Sequence, residues 1–234
     1  MNERTKIKDK AIIYVHGKGG NADEATHYKP LFENCEVIGF DYKSRNPREA
    51  KEEFPLFFDT VSKKYKSVDM IANSIGAYFA MNALADKEIG KAYFISPVID
   101  MERLIADMMK WSGVTESELS DKKEIPTSFG ETLSYDYLCY VRNNPLKWNI
   151  QTHILYGEKD NLTSYETVSA FAEKVHATLT VMKGGEHYFH TEEQMRFVDE
   201  WIESIVRGKQ KRLSMGVATN GCLYTAKKGA IMFR

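Results

Sequence analysis

The chain has 234 residues, 43% of them hydrophobic and 28% charged, which suits one domain with a sizeable core and room for an insertion. A formal net charge of −1 argues against a protein built mainly to bind nucleic acid. No apolar run reaches the ~18 residues that a membrane-spanning helix needs, the charged opening "MNERTKIKDK" lacks the apolar stretch of a signal peptide, and three scattered cysteines (Cys35, Cys139, Cys222) show neither metal spacing nor a disulfide framework. A cytoplasmic location with idle thiols is the expectation.

Apolar runs then alternate with helical patterns. "AIIYVHG" (Ala11 to Gly17) and "CEVIGFDY" (Cys35 to Tyr42) read as buried strands. Arg48 to Lys66 is amphipathic, with a helix-bending Pro55. Ser67 to Ser74 is a third strand that feeds the small-residue helix "IGAYFAMNALAD", and Lys91 to Ile99 is a fourth. Thr152 to Asp160 is a fifth, followed by a helix from about Ser164 to His176. Ala177 to Gly185 is the sixth, and Thr191 to Val206 is a closing amphipathic helix whose acidic first turn suits the helix dipole. Strands rich in Ile, Val, Tyr and Phe that alternate with helices predict an α/β three-layer sandwich, a mostly parallel sheet of about six strands covered on both faces.

Two stretches break this rhythm. Residues 100–149 are too long for a loop and carry no clear strand. They hold a Met-rich amphipathic segment, "MERLIADMMKWSGV", and an aromatic one, "SYDYLCYVRNNPLKW". A Met and aromatic stripe at helical spacing is ordinarily core. The position after a strand instead predicts a small helical cap over the carboxyl ends of the sheet, where ligands bind. The second stretch, 207–234, has seven Lys/Arg and no Asp/Glu. Its "TNG" and "KKG" turns suggest short hairpins or an appended extension, able to serve as a solvated appendage or a self-association segment.

The strongest local chemistry is "ANSIG", Ala72 to Gly76, where the third strand turns into a helix. A sharp strand-to-helix turn exposes its central side chain above the sheet, and small flanking residues let the helix pack on the strand. This is a nucleophile elbow of the G-x-S-x-G type, with Ala72 for the first glycine. The plain alternative is a serine that caps a helix. A serine hydroxyl needs a base, and the base needs an orienting carboxylate. Asp160 follows the fifth strand and His187 follows the sixth, so the order Ser74, Asp160, His187 fits a hydrolase triad.

On the segments His16-Gly17-Lys18-Gly19-Gly20, Ala72 to Gly76, Gly157 to Asp160 and Gly185-Glu186-His187, the chain resembles the α/β-hydrolase fold proteins, particularly small serine esterases and lipase-like carboxylic ester hydrolases. The resemblance covers about Ala11 to Val206. It implies a trimmed six-strand core, since two further strands usually precede the histidine-glycine strand. It favours His187 over His190 as the base, and Asp160 over Asp100 as the acid. Asp41, Asp69 and Glu158 are weaker acids, and His27, His153 and His176 read as structural.

The glycine turn admits a rival. Gly17-Lys18-Gly19-Gly20-Asn21-Ala22 matches G-x-G-x-x-A after a strand, with Asp41 placed for a ribose. That reading of a nucleotide-binding oxidoreductase leaves Ser74, Asp160 and His187 unexplained. Under the hydrolase reading the loop folds a backbone N–H, Lys18 or Gly19, beside that of Ile75 to hold an oxyanion. The Lys18 side chain is expected in solvent. Substrate contacts are expected from His16, Gly17, Gly19, Met108, Trp111 and Tyr137, with Met101, Met109 and Tyr135 in the same apolar wall. The expected activity is hydrolysis of a small-molecule carboxylic ester, short to medium acyl or aryl, with no metal or organic cofactor and neither nucleic acid nor membrane as partner. Thioesterase, amidase, peptidase and non-catalytic binding are the alternatives.

Overall fold

The computed structural model describes residues 9–208, so the basic extension, its expected hairpins and Cys222 lie outside the described residues. Six strands form one parallel sheet: β1 (Lys10–Val15), β2 (Cys35–Phe40), β3 (Ser67–Asn73), β4 (Ala92–Ile95), β7 (Thr152–Gly157) and β8 (Thr178–Met182). Their order is β2-β1-β3-β4-β7-β8. The chain moves one way from β1 to β2 and the other way from β3 onward. The crevice at this reversal lies between the carboxyl ends of β1 and β3, a natural ligand site in an open α/β sheet.

Side chains alternate across each strand, so both faces must be covered. Ala11, Ile13 and Val15 of β1 join Met70 and Ala72 of β3 in one buried cluster. It is packed by α2 (Pro47–Ser62), α3 (Ser74–Leu84) and α7 (Tyr165–Lys174). Ile12, Tyr14 and Ile71 face the other way, against the short α1 (Ala25–Tyr28) and α8 (Glu192–Val206), where Trp201 and Ile202 are buried. Asn46 caps α2 through its side chain, and Thr191 forms a capping box with Gln194 at α8. α2 continues through Pro55, its buried face of Ala50, Phe54, Phe58 and Val61 holding the helix on both sides of the proline. No helix among the described residues is long and apolar enough to cross a membrane.

Between β4 and β7 the chain builds α4 (Met101–Trp111), α5 (Glu116–Lys122), β5 (Glu124–Pro126), β6 (Thr132–Ser134) and α6 (Tyr135–Asn143). The expectation that this segment carries no strand is corrected: β5 and β6 pair as an antiparallel hairpin. Three-residue strands are too short to show an alternating pattern, which is why the sequence hides them. Arg142 of α6 fastens the segment, donating to Glu102 of α4 at 2.6 Å and to Glu116 of α5 at 2.5 Å.

Candidate active site

Ser74 is the first residue of α3, and its φ of +50° lies in the left-handed region that a side chain rarely adopts. Such a conformation costs about 1–3 kcal/mol and persists only where its surroundings impose it. Here the constraint is close packing. A Cβ on Gly76 would collide with the His16 carbonyl, so the two segments need glycine there to approach, and one on Gly17 would press on Ser74 Cβ at 3.3 Å. Asn73 precedes the helix and makes no capping hydrogen bond to it. The serine is therefore not an N-cap, and the N–H groups of the first turn stay available for an oxyanion.

Ser74 Oγ lies 2.7 Å from His187 Nε2, and His187 Nδ1 lies 2.7 Å from Asp160 Oδ2. Asp160 is fully buried on its side chain, and its other oxygen accepts the N–H groups of Leu162 and Thr163 at 2.8 and 2.9 Å. A carboxylate only accepts, so Nδ1 of the imidazole carries the proton and Nε2 is left to receive one from the serine. Ser74 starts α3 directly after β3, and Asp160 and His187 come from loops after β7 and β8, all at the carboxyl end of the parallel sheet. Gly157 brings the last two together: a Cβ there would strike the Gly185 and Glu186 backbone.

The competing residues are occupied elsewhere. His190 Nδ1 binds the Tyr188 carbonyl at 2.7 Å, and its ring stacks on Tyr188. Asp100 caps α4 by accepting from Arg103 N–H. Asp69 is buried against Lys10 at 2.6 Å at the opposite end of the sheet. Asp41 pairs with Lys43, whose hydrogen bonds hold its carboxyl below the usual range. Glu158 is exposed and accepts from Gly184 N–H at 2.8 Å. His27 pairs with Asp199 and His153 with Thr178, and burial pushes the His153 imidazole down. His176 is exposed at the end of α7.

The Lys18 side chain is exposed, as expected. Its ammonium also forms an ion pair with Glu131, in the turn between β5 and β6. The Gly-rich loop and the inserted hairpin are thus joined across the site. The pairing links residues 113 apart in the chain, a juxtaposition no local pattern could disclose.

Beside Ser74 opens a cavity of about 670 Å³. All six expected contact residues (His16, Gly17, Gly19, Met108, Trp111, Tyr137) line it, with Lys18, Ile75 and Met101. Met101, Leu104, Ile105 and Met108 present one face of α4 at spacings of three and four. Met109 and Tyr135 are not in this wall: Met109 is buried in the core, and the Tyr135 ring takes Lys123 at 5.2 Å. No motif or periodicity pointed to Tyr42, Ser44, Arg45, Phe79 and Leu133, which also line the cavity. The Tyr42 ring stacks on His16 at 4.2 Å, and its hydroxyl donates to the His16 carbonyl. Burial pushes the Tyr137 hydroxyl well up, keeping it neutral, and it has no hydrogen-bond partner. A smaller cavity of about 350 Å³, which shares Gly17, Lys18, Gly19, Ser74 and Leu162 with the first, reaches His187, Glu24 and Asn73.

The glycine loop does not lead into a dinucleotide-type helix. Asn21 caps a 3-10 turn (Ala22–Glu24) followed by four helical residues. Glu24 completes a capping box there, which puts a carboxylate where a pyrophosphate would need to bind. Among the described residues, no group of three or more His, Cys, Asp or Glu is arranged to hold a metal ion.

These features define the class of protein: the chain has the α/β-hydrolase fold. It is similar to Est1E from Butyrivibrio proteoclasticus, at TM-score 0.71 and 17% identity over 87% of this chain and 89% of that one. A structure of Est1E with ferulic acid bound is matched equally well. Mouse alpha/beta hydrolase domain-containing protein 10 is similar at TM-score 0.69 and 13% identity, over 85% of this chain and 90% of that one. In sequence, 137 residues are 24% identical to a Mycoplasma genitalium protein that bears an esterase/lipase name. That match covers 53% of this chain and spans only 48%, about half, of the relative's length. No protein-family model matches the chain.

Proposed function

We propose that the protein is a serine hydrolase of carboxylic esters. The observation that carries this reading is the hydrogen-bonded line from Ser74 through His187 to Asp160, with both contacts at 2.7 Å, at the mouth of an apolar cavity. Ser74 Oγ attacks the ester carbonyl while His187 Nε2 takes its proton, and Asp160 holds the imidazole and stabilises its charge. The N–H groups of Ile75 and of Lys18 stabilise the oxyanion. His187 then protonates the departing alcohol, and water, activated by the same imidazole, releases the acid. No organic cofactor or metal takes part in this scheme.

The segment between β4 and β7 acts as a cap, with α4 forming the apolar wall over the serine. A cavity of about 670 Å³ suits a short to medium alkyl or an aryl acyl group. The esterase names of the fold neighbours support the reaction class. The test is labelling with a fluorophosphonate probe, with the adduct mapped by mass spectrometry. A single adduct on Ser74, abolished in Ser74→Ala, is the expected result. Labelling elsewhere sinks the assignment. A matched ester, thioester and amide series then separates the reaction subclasses.

A further inference from the structure

Two N–H groups from separate segments, Ile75 at the start of α3 and Lys18 in the glycine loop, have to face one oxyanion. The loop is short and closed on itself. Gly17 to Gly20 form a four-residue turn in which the Gly20 N–H donates to the Gly17 carbonyl at 3.2 Å. Lys18 and Gly19 sit at its corner, with Gly19 in the left-handed region at a φ of +76°. Such a turn moves as a unit, so whatever fixes its tilt over Ser74 also fixes the direction of the Lys18 N–H.

A row of side chains supplies that tie. Glu24, half-buried just after the turn, divides its two oxygens between partners. Oε1 accepts the Asn21 N–H at 3.3 Å, on the loop side. Gly20 leaves room for the carboxylate, since a Cβ there would lie 2.7 Å from Oε1. Oε2 accepts the Tyr14 hydroxyl, because a carboxylate only accepts. Tyr14 is 1% exposed in β1, and burial pushes its hydroxyl far above the ordinary value, so the proton stays on the oxygen and is committed to Glu24. That oxygen then accepts from Asn73 Nδ2 at 2.8 Å. Asn73 is the residue before Ser74 and the second before Ile75. The row thus runs from the turn that carries one oxyanion donor to the elbow that carries the other. We infer, resting on the ester-hydrolase reading, that Tyr14 and Glu24 are positioning residues: they brace the glycine turn against the serine elbow and so set the spacing of the Lys18 and Ile75 N–H groups.

The experiment replaces the carbonyl oxygen of the substrate by sulfur. Donors spaced for oxygen hold the larger, weakly accepting sulfur poorly. The ratio of kcat/KM for p-nitrophenyl butyrate to that for its thiono analogue therefore reads the fit of the two donors, each rate being normalised to alkaline hydrolysis of the same compound. Wild type should favour the oxygen ester by on the order of a hundredfold. Tyr14→Phe removes one hydroxyl and should shrink that preference about tenfold. Glu24→Gln has one accepting oxygen for two donors and should shrink it in the same sense, which carries the test where Tyr14→Phe fails to fold. Phe58→Ala loosens α2 on the other face of the sheet and should leave the ratio unchanged. A ratio within one variant is unaffected by loss of folded enzyme. A wild-type preference near one overturns the inference, as does a ratio untouched in either brace variant that folds. A ratio moved as far by Phe58→Ala overturns it too, since general loosening then explains the effect. In all these cases esters are still hydrolysed, whereas absence of a Ser74 adduct and of turnover on every ester removes the underlying reading itself.

Discussion

Replacing Asp160 by Asn removes one charge and almost no volume, yet the structure predicts a severe loss of turnover. Asp160 Oδ1 accepts two backbone N–H groups, from Leu162 and Thr163, and its Oδ2 faces His187 Nδ1. An asparagine must place its oxygen toward the two backbone donors. Its amide nitrogen then faces His187 and donates to Nδ1. The imidazole is driven into the tautomer with the proton on Nε2, where it cannot accept the Ser74 proton. Loss of the stabilising carboxylate beside the transient imidazolium adds to the penalty. A tautomer error of this kind lowers kcat by about 10⁴-fold, equivalent to about 5.4 kcal/mol of transition-state stabilisation. Stability should change little, because the two backbone hydrogen bonds survive. The assay is steady-state turnover of a p-nitrophenyl ester together with a thermal melt. If Asp160→Asn keeps more than about a tenth of wild-type kcat while Ser74→Ala is inactive, the carboxylate does not hold the imidazole, and the tautomer assigned to His187 is wrong.

Other outcomes follow from the same geometry. Gly76→Val places a side chain against the His16 carbonyl, so a lower melting temperature and loss of fluorophosphonate labelling are expected together; a variant that melts and labels normally contradicts the packing account of the elbow. Trp201 of α8 is 2% exposed with its ring against Tyr93 of the sheet, and Trp201→Ala should destabilise the fold by about 3–5 kcal/mol in urea unfolding; a loss below about 1 kcal/mol would mean that this face repacks freely. The Lys18–Glu131 pair joins two partly exposed side chains, so Glu131→Gln should cost less than about 1 kcal/mol of stability while changing KM, with a wild-type dependence on salt that the variant lacks; equal salt dependence in both argues against a link across the site.

Chain order and residue pattern alone supplied the sheet, the elbow and three chemical residues at strand ends. The physical reason is periodicity. A strand buried on both faces reads as a continuous apolar run, and a strand-to-helix turn must be built from small residues. Ser74, Asp160 and His187 each follow such a run, so their sequence positions already imply the carboxyl end of the sheet. Pro55 lies inside the expected helix, which the tertiary burial of Phe54 and Phe58 holds on both sides of it. Short elements such as β5 and β6 escape periodicity altogether, and no spacing rule joins Lys18 to Glu131. The tautomer of His187 and the lining of the cavity beside Ser74 depend on atoms brought together from distant segments. Sequence determined which chemical groups reach the carboxyl edge of the sheet. Only the folded arrangement decided which proton each one carries, because hydrogen bonds are set by distances of a few ångströms that chain order does not encode.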